Sequence, residues 1–288
     1  MLKQKDTKEP GFEEIKERSS LEKNLENSGN NNGNNDDINA PLRKMSSMSF
    51  LLKKSWKIYK ENFWKFIGLE LVPILGLAPL AVILILGAFL ARVLDSPFKL
   101  PLAIVWGISM LASFVFLVFL LVISYISLYL LVKKFSQKPS FKELFFDSKK
   151  YIGSFLGVNF LTGIIVFLGV LLFIIPGIWW GILYSVSVWA VIYEEKSVRG
   201  ALKRSKALVK GHWWEVFIRY VMVFFFYFLL SFVVGIVFSQ NMKDLKDGLN
   251  TVFNLLFQPF IIIYSALIYL NLREIKEREI KERGENLI

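Results

Sequence analysis

Long runs of apolar residues without charge constrain this chain more than any other feature. Not one charged side chain lies between Lys150 and Glu194. A helix rises 1.5 Å per residue and the hydrocarbon core of a bilayer is about 30 Å thick, so about 20 apolar residues suffice to cross it. Six blocks approach or exceed that length: Phe66 to Leu90, Ala103 to Val132, Phe155 to Ile175, Ile178 to Tyr193, Val216 to Phe238 and Val252 to Leu272. A soluble domain keeps its apolar residues in short periodic segments. The expected fold is therefore an all-α membrane protein, with about six transmembrane helices in three hairpins and amphipathic helices between them.

Only Pro176-Gly177 separates the third and fourth blocks. Proline cannot continue a helix unbroken and glycine permits a reversal, so the pair is expected to form the hairpin turn. With no charge nearby, that turn is expected at or below the far headgroup layer, with Trp179 and Trp180 as interfacial anchors. The fourth block is short, so the hairpin either crosses fully or re-enters on the same side with its turn covered by protein.

Orientation follows from lysine and arginine placement. Four clusters of five to seven basic residues flank one side of the blocks, whereas the other side has Arg92, Lys99, Lys243 and Lys246. The positive-inside rule then places both termini in the cytoplasm. The net charge of +11 is absorbed by this topology, so no nucleic-acid partner is expected. Cysteine is absent and His212 is the lone histidine, which excludes thiolate and multi-histidine metal sites. Residues 1–40 are polar and Asn-rich, and are expected to form a disordered cytoplasmic tail. They hold no early apolar run of the kind a signal peptide needs, so the first block is expected to act as its own insertion signal. Residues 273–288 are expected to form a charged cytoplasmic tail.

The stretches between blocks share a pattern. Leu51-Leu52, Ser55 and Ile58-Tyr59 recur as Leu144-Phe145, Ser148 and Tyr151-Ile152, and again as Ala201-Leu202, Ser205 and Leu208-Val209. Apolar doublets three and four residues either side of a small residue make one helical face, with lysines and arginines on the other. This predicts three copies of one unit, at about 48–132, 141–193 and 198–272 within a membrane domain of 41–272. Each copy is an in-plane basic helix followed by a helical hairpin. Lys53, Lys54, Lys149, Lys150, Lys203, Arg204 and Lys210 are the expected contacts to anionic lipid headgroups. Trp64, Trp213 and Trp214 are expected anchors at the membrane boundary.

The segment from Pro176 to Trp214 joins an Ile-Pro-Gly-Ile-Trp turn to Ala-Leu-Lys-Arg-Ser-Lys-Ala-Leu-Val-Lys-Gly-His-Trp-Trp. It resembles the membrane domain fused to some glycerophosphodiester phosphodiesterases, and related stand-alone bacterial membrane proteins. The resemblance covers most of Met45 to Leu272. It implies a multi-helix prokaryotic inner-membrane protein and no enzyme, because the hydrolase activity of that family resides in a separate soluble domain.

Ionisable residues inside spans are costly and are candidate functional groups. Glu70, Glu215 and Arg219, with Asn159 at similar depth, are expected to form an intramembrane polar cluster; the alternative is that each snorkels separately to the interface. No phosphate loop, metal spacing or nucleophile motif is present, so no cofactor is expected. The leading functional reading is a non-enzymatic module that binds anionic lipids or organises a protein partner. The alternatives are a transporter or lipid-handling channel using Glu70 and Arg219, and a membrane subunit accompanying a lipid-metabolising enzyme.

Overall fold

The structure, a computed structural model, describes residues 45–93, 96–237 and 243–285, so the expected Asn-rich tail lies outside the described residues. Among those described, every regular element is helical. The α-helices run α1 (Met48–Glu61), α2 (Phe63–Leu71), α3 (Leu77–Val93), α4 (Ser96–Lys133), α5 (Phe141–Ser148), α6 (Ile152–Leu172), α7 (Ile174–Tyr184), α8 (Ser187–Glu194), α9 (Val198–Val209), α10 (Trp213–Val237) and α11 (Lys243–Glu285). Six helical segments are long and apolar enough to cross a membrane. The chain is an all-α membrane protein.

Prolines shape the first span without ending it. A 3-10 turn, Val72–Gly76, joins α2 to α3 and carries Pro73 in its first turn. Pro73 has no N–H to give the Leu69 carbonyl four residues back. The Ser124 hydroxyl of α4 donates to that carbonyl instead. Pro79 sits in the first turn of α3, where the missing N–H would have had no helical partner. Gly76 lies so close to Leu117 that an added Cβ would come within 3.0 Å of its side chain, which lets the turn pack tightly on α4.

The middle hairpin turns earlier than Pro176-Gly177. The break is at Phe173, with φ −163° and ψ 152°, between α6 and α7. Pro176 is the third residue of α7, a position that tolerates proline, so it opens a helix and does not close one. Gly177 serves a different purpose from the expected reversal. A Cβ there would meet Val170 Cγ2 at 2.4 Å, and one on Gly169 would meet the Gly177 Cα at 2.8 Å. The two glycines let helix backbones touch, as small residues do between membrane helices.

The core is built where helix ends converge. α1 packs on α11, α5 on α4, and α9 on α8. Each of these short helices turns a serine into the contact: Ser55, Ser148 and Ser205 are all fully buried. The flanking doublets follow, with Leu51, Ile58 and Tyr59, then Leu144 and Tyr151, then Ala201, Leu208 and Val209 in one hydrophobic core. The far halves of α3, α4, α10 and the α6–α7 hairpin expose apolar side chains all round, as lipid-facing helices do.

The serines are not equivalent in their bonding. Ser205 Oγ donates to the Leu183 carbonyl at 2.7 Å, where α7 is ending and its last carbonyls lack helical partners. Ser55 Oγ has no partner. Ser205→Ala should therefore cost about 1–3 kcal/mol, whereas Ser55→Ala should change stability by less than about 0.5 kcal/mol. Thermal unfolding of the purified protein in detergent separates the two; equal losses would contradict this assignment.

Candidate functional site

The expected cluster divides in two. Arg219, 8% exposed, folds back along α10, donating to the Glu215 carbonyl at 3.0 Å and lying 3.6 Å from the Glu215 carboxylate. Its other terminal nitrogen donates to the Ser46 carbonyl at 2.8 Å. Asn271 of α11 holds the same residue, accepting from Ser46 N at 3.0 Å and donating to Ser46 Oγ at 2.8 Å. Arg219 thus fastens the segment before α1 to α10 and α11. His212 Nδ1 lies 3.2 Å from Glu215 Oε1, bracing the start of α10 just after Gly211, whose φ of +99° demands glycine.

Glu70 is not part of this arrangement. It ends α2 next to the 3-10 turn and faces Ser124 and Leu128 of α4 and Gln258 of α11. No ion pair joins it to Arg219 among the described residues, so the expected Glu70–Arg219 partnership is not formed. The cause is directional: the arginine reaches toward the start of its own helix, and the carboxylate points across to α4 and α11. Asn159 is not in the cluster either; its Nδ2 donates to the Phe155 carbonyl one turn back in α6, at 2.8 Å.

Glu70 instead opens into a cavity of about 230 Å³, and its Oε1 is buried without a hydrogen-bond partner. Tyr125 and Gln258 line this space and also a second one, of about 480 Å³, between α4, α10 and α11. The larger cavity is walled by aromatic rings, among them Tyr129, Phe224, Tyr227 and Phe257. Tyr227 donates to Asn254 Oδ1 at 2.5 Å. Pro259 leaves the Leu255 carbonyl without its i+4 donor, and Leu255 lies in the wall beside Glu70. Reasoning from sequence missed this wall. The available signal was Asn254 and Gln258, two amides i, i+4 on one face of an otherwise apolar span. In α1, burial pushes the Tyr59 phenol up to about 12, and the nearby Glu70 carboxylate adds to the rise.

The lysines proposed for headgroups fare unequally. Lys53, Lys149, Lys203 and Lys210 are exposed, and Lys54 is half-buried with its Nζ 6.0 Å from the Phe50 ring centre. Lys150 lies 2.6 Å from Glu195, and that bond holds the Glu195 carboxyl below its ordinary range, helped by the Tyr151 hydroxyl. Arg204 pairs with Glu194 at 2.8 Å, and the Tyr269 hydroxyl donates to the same carboxylate at 2.6 Å. Arg204 is therefore engaged in joining helices, whereas Lys150 stays exposed while it pairs with Glu195.

Trp64 and Trp214 project outward, 79% and 66% exposed. Trp180 is half-buried and packs against the core. Trp179 stacks on Trp213 with ring centres 4.6 Å apart, and Trp213 Nε1 donates to the Trp179 carbonyl at 3.2 Å. Trp213 is the first residue of a 25-residue helix. Trp179 therefore lies against the first residue of α10, and the Phe173 break is six residues along the helix from it, about 9 Å by helical rise.

Comparison with protein-family models, with curated proteins and with solved structures gives no match to this chain.

Proposed function

We propose that the protein is a non-enzymatic module of a prokaryotic inner membrane that gathers anionic lipid around three basic interfacial helices. In this reading α1, α5 and α9 are copies of one unit, as the shared spacing of their serines and apolar doublets suggests, and both termini are cytoplasmic. The observation that carries it is the disposition of those helices. Each buries its serine and most of its apolar doublets against neighbouring helices. Lys53 and Lys60, Lys142 and Lys149, and Lys203, Lys206 and Lys210 are left exposed on the other face. A lysine near an anionic surface contributes roughly 1 kcal/mol, so several together hold a lipid annulus. A transporter worked by a Glu70–Arg219 pair lacks its pair.

Native mass spectrometry of the protein extracted with its surrounding lipid tests the reading. Enrichment of anionic lipid is expected, and neutralising Lys203 and Lys210 together should remove most of it without lowering the melting temperature. Arg204→Gln should instead lower the melting temperature, because the partly buried Glu194 loses its guanidinium and keeps only the Tyr269 hydroxyl and a longer contact to Lys196. Bulk lipid composition around the wild-type protein would refute the proposal. A stoichiometric protein partner without lipid enrichment would replace it with a partner-organising role.

A further inference from the structure

The two neighbouring cavities have a chemistry that the headgroup reading does not use. At one end lies Glu70, a carboxylate within a membrane-spanning segment, with Oε1 buried and without a hydrogen-bond partner. At the other lies a space of about 480 Å³ bounded by aromatic rings from three helices. Tyr125 of α4 and Gln258 of α11 belong to both walls, so the larger space and the one that holds the carboxylate are neighbours divided by those two side chains.

The packing explains why the space exists. Tyr129 lies in its wall and sits 4.7 Å from Trp189 of α8, which plugs the bundle at that level. Beyond Trp189 the middle unit breaks at Ser185 and Val186, and α7 turns aside to place Trp179 on Trp213. The long helices α4, α10 and α11 continue past that level with no helix of the middle unit between α4 and α10 in the wall.

A carboxylate beside several aromatic faces attracts organic cations. The ring faces are negative, and the attraction grows when the cation is desolvated. An anion would meet Glu70 with no compensating base in either wall, and a neutral apolar molecule would leave the carboxylate and the amides of Asn254 and Gln258 unanswered. We propose that this cavity binds an ammonium-type cation carried on an apolar body. The charge would lie between Glu70 and the tyrosines, and the apolar body along Phe224 and Phe257. Two sources share this chemistry: a lipid with an amine headgroup, and a free lipophilic cation.

The test uses the full chain in dodecyl maltoside, which contributes no ammonium group. Equilibrium binding of tetraphenylphosphonium and of dodecylammonium is measured. At least one is expected to bind saturably at one site. Glu70→Gln should weaken it by about tenfold or more, Tyr227→Ala should weaken it severalfold, and Lys203→Gln should leave it unchanged. The melting temperature of each variant shows whether it is folded, and Tyr125→Phe supplies a second wall change if Tyr227→Ala does not fold. Competition identifies the source. Displacement by phosphatidylethanolamine but not phosphatidylglycerol assigns the site to an aminolipid; no displacement by either assigns it to free lipophilic cations. Failure of both probes to bind saturably, or undiminished binding by folded Glu70→Gln, would overturn the proposal. Neither result bears on anionic lipid held at the exposed lysines, so the two readings fail separately.

Discussion

Gly177→Val is expected to force apart α6 and α7 and to lower stability by about 3 kcal/mol, the upper part of the usual range for overpacking. The reason is that the glycine faces backbone. Its added Cβ would lie 2.4 Å from Val170 Cγ2, 2.9 Å from Val170 N and 3.1 Å from Val170 Cα. A side chain can rotate away, but two helix backbones can only separate, and separation removes the packing that holds them. In a bilayer little else would hold them, because lipid tails are as apolar as the helices and burial from water contributes nothing there. Gly181 provides the control on the same helix. An alanine Cβ at that position meets Val166 Cγ2 at 3.8 Å, an ordinary contact. Gly181→Ala should therefore be neutral, or stabilise by up to about 1 kcal/mol through helix propensity. Thermal unfolding in detergent distinguishes the pair, and a Gly177→Val protein that melts with the wild type would show that the close approach does not hold the hairpin.

Trp189→Ala should be as damaging, for the opposite reason. Trp189 is 1% exposed and joins three parts of the molecule. Its ring lies 4.7 Å from Tyr129 of α4 and 5.8 Å from Tyr193 at the end of α8. Its Nε1 donates to Ser265 Oγ of α11 at 2.9 Å. Truncation removes these contacts and leaves a void, at a cost of about 3–5 kcal/mol in water-soluble cores. The low end, about 3 kcal/mol, is expected where lipid is the surrounding solvent. Trp189→Phe retains most of the volume and loses the hydrogen bond, so it should cost about 1–2 kcal/mol. A ranking of alanine far below phenylalanine in melting temperature is the expected result. Equal effects would mean that the hydrogen bond, and not the ring, joins the helices.

Much of the candidate site was invisible to sequence reasoning for a definable reason. Glu70 and Arg219 stand out in any apolar sequence, because a charge in a span has few innocent explanations. Which partner each finds depends on side-chain direction across helices, and periodicity does not carry that information. One terminal nitrogen of Arg219 bonds to a carbonyl of Ser46, a backbone atom 173 residues away that no side-chain pattern announces. Arg204 likewise reads as a surface cation in the sequence, yet it is partly buried against Glu194, ten residues earlier in the chain.

The chain's own sequence determined the class of the molecule and the faces of its short helices. Apolar length specifies membrane-spanning helices because a bilayer core cannot hydrogen-bond exposed backbone. The spacing of Ser55, Ser148 and Ser205 among apolar doublets marks the side each helix buries, because the helical period fixes which residues share a face. Tertiary structure alone decided where the middle hairpin turns, that Trp179 stacks on Trp213, and that Glu70 faces a cavity. Those outcomes depend on how closely two backbones can approach and on which helix fills the gap beside another. Both are properties of packing between segments distant in the chain, where no local pattern reaches.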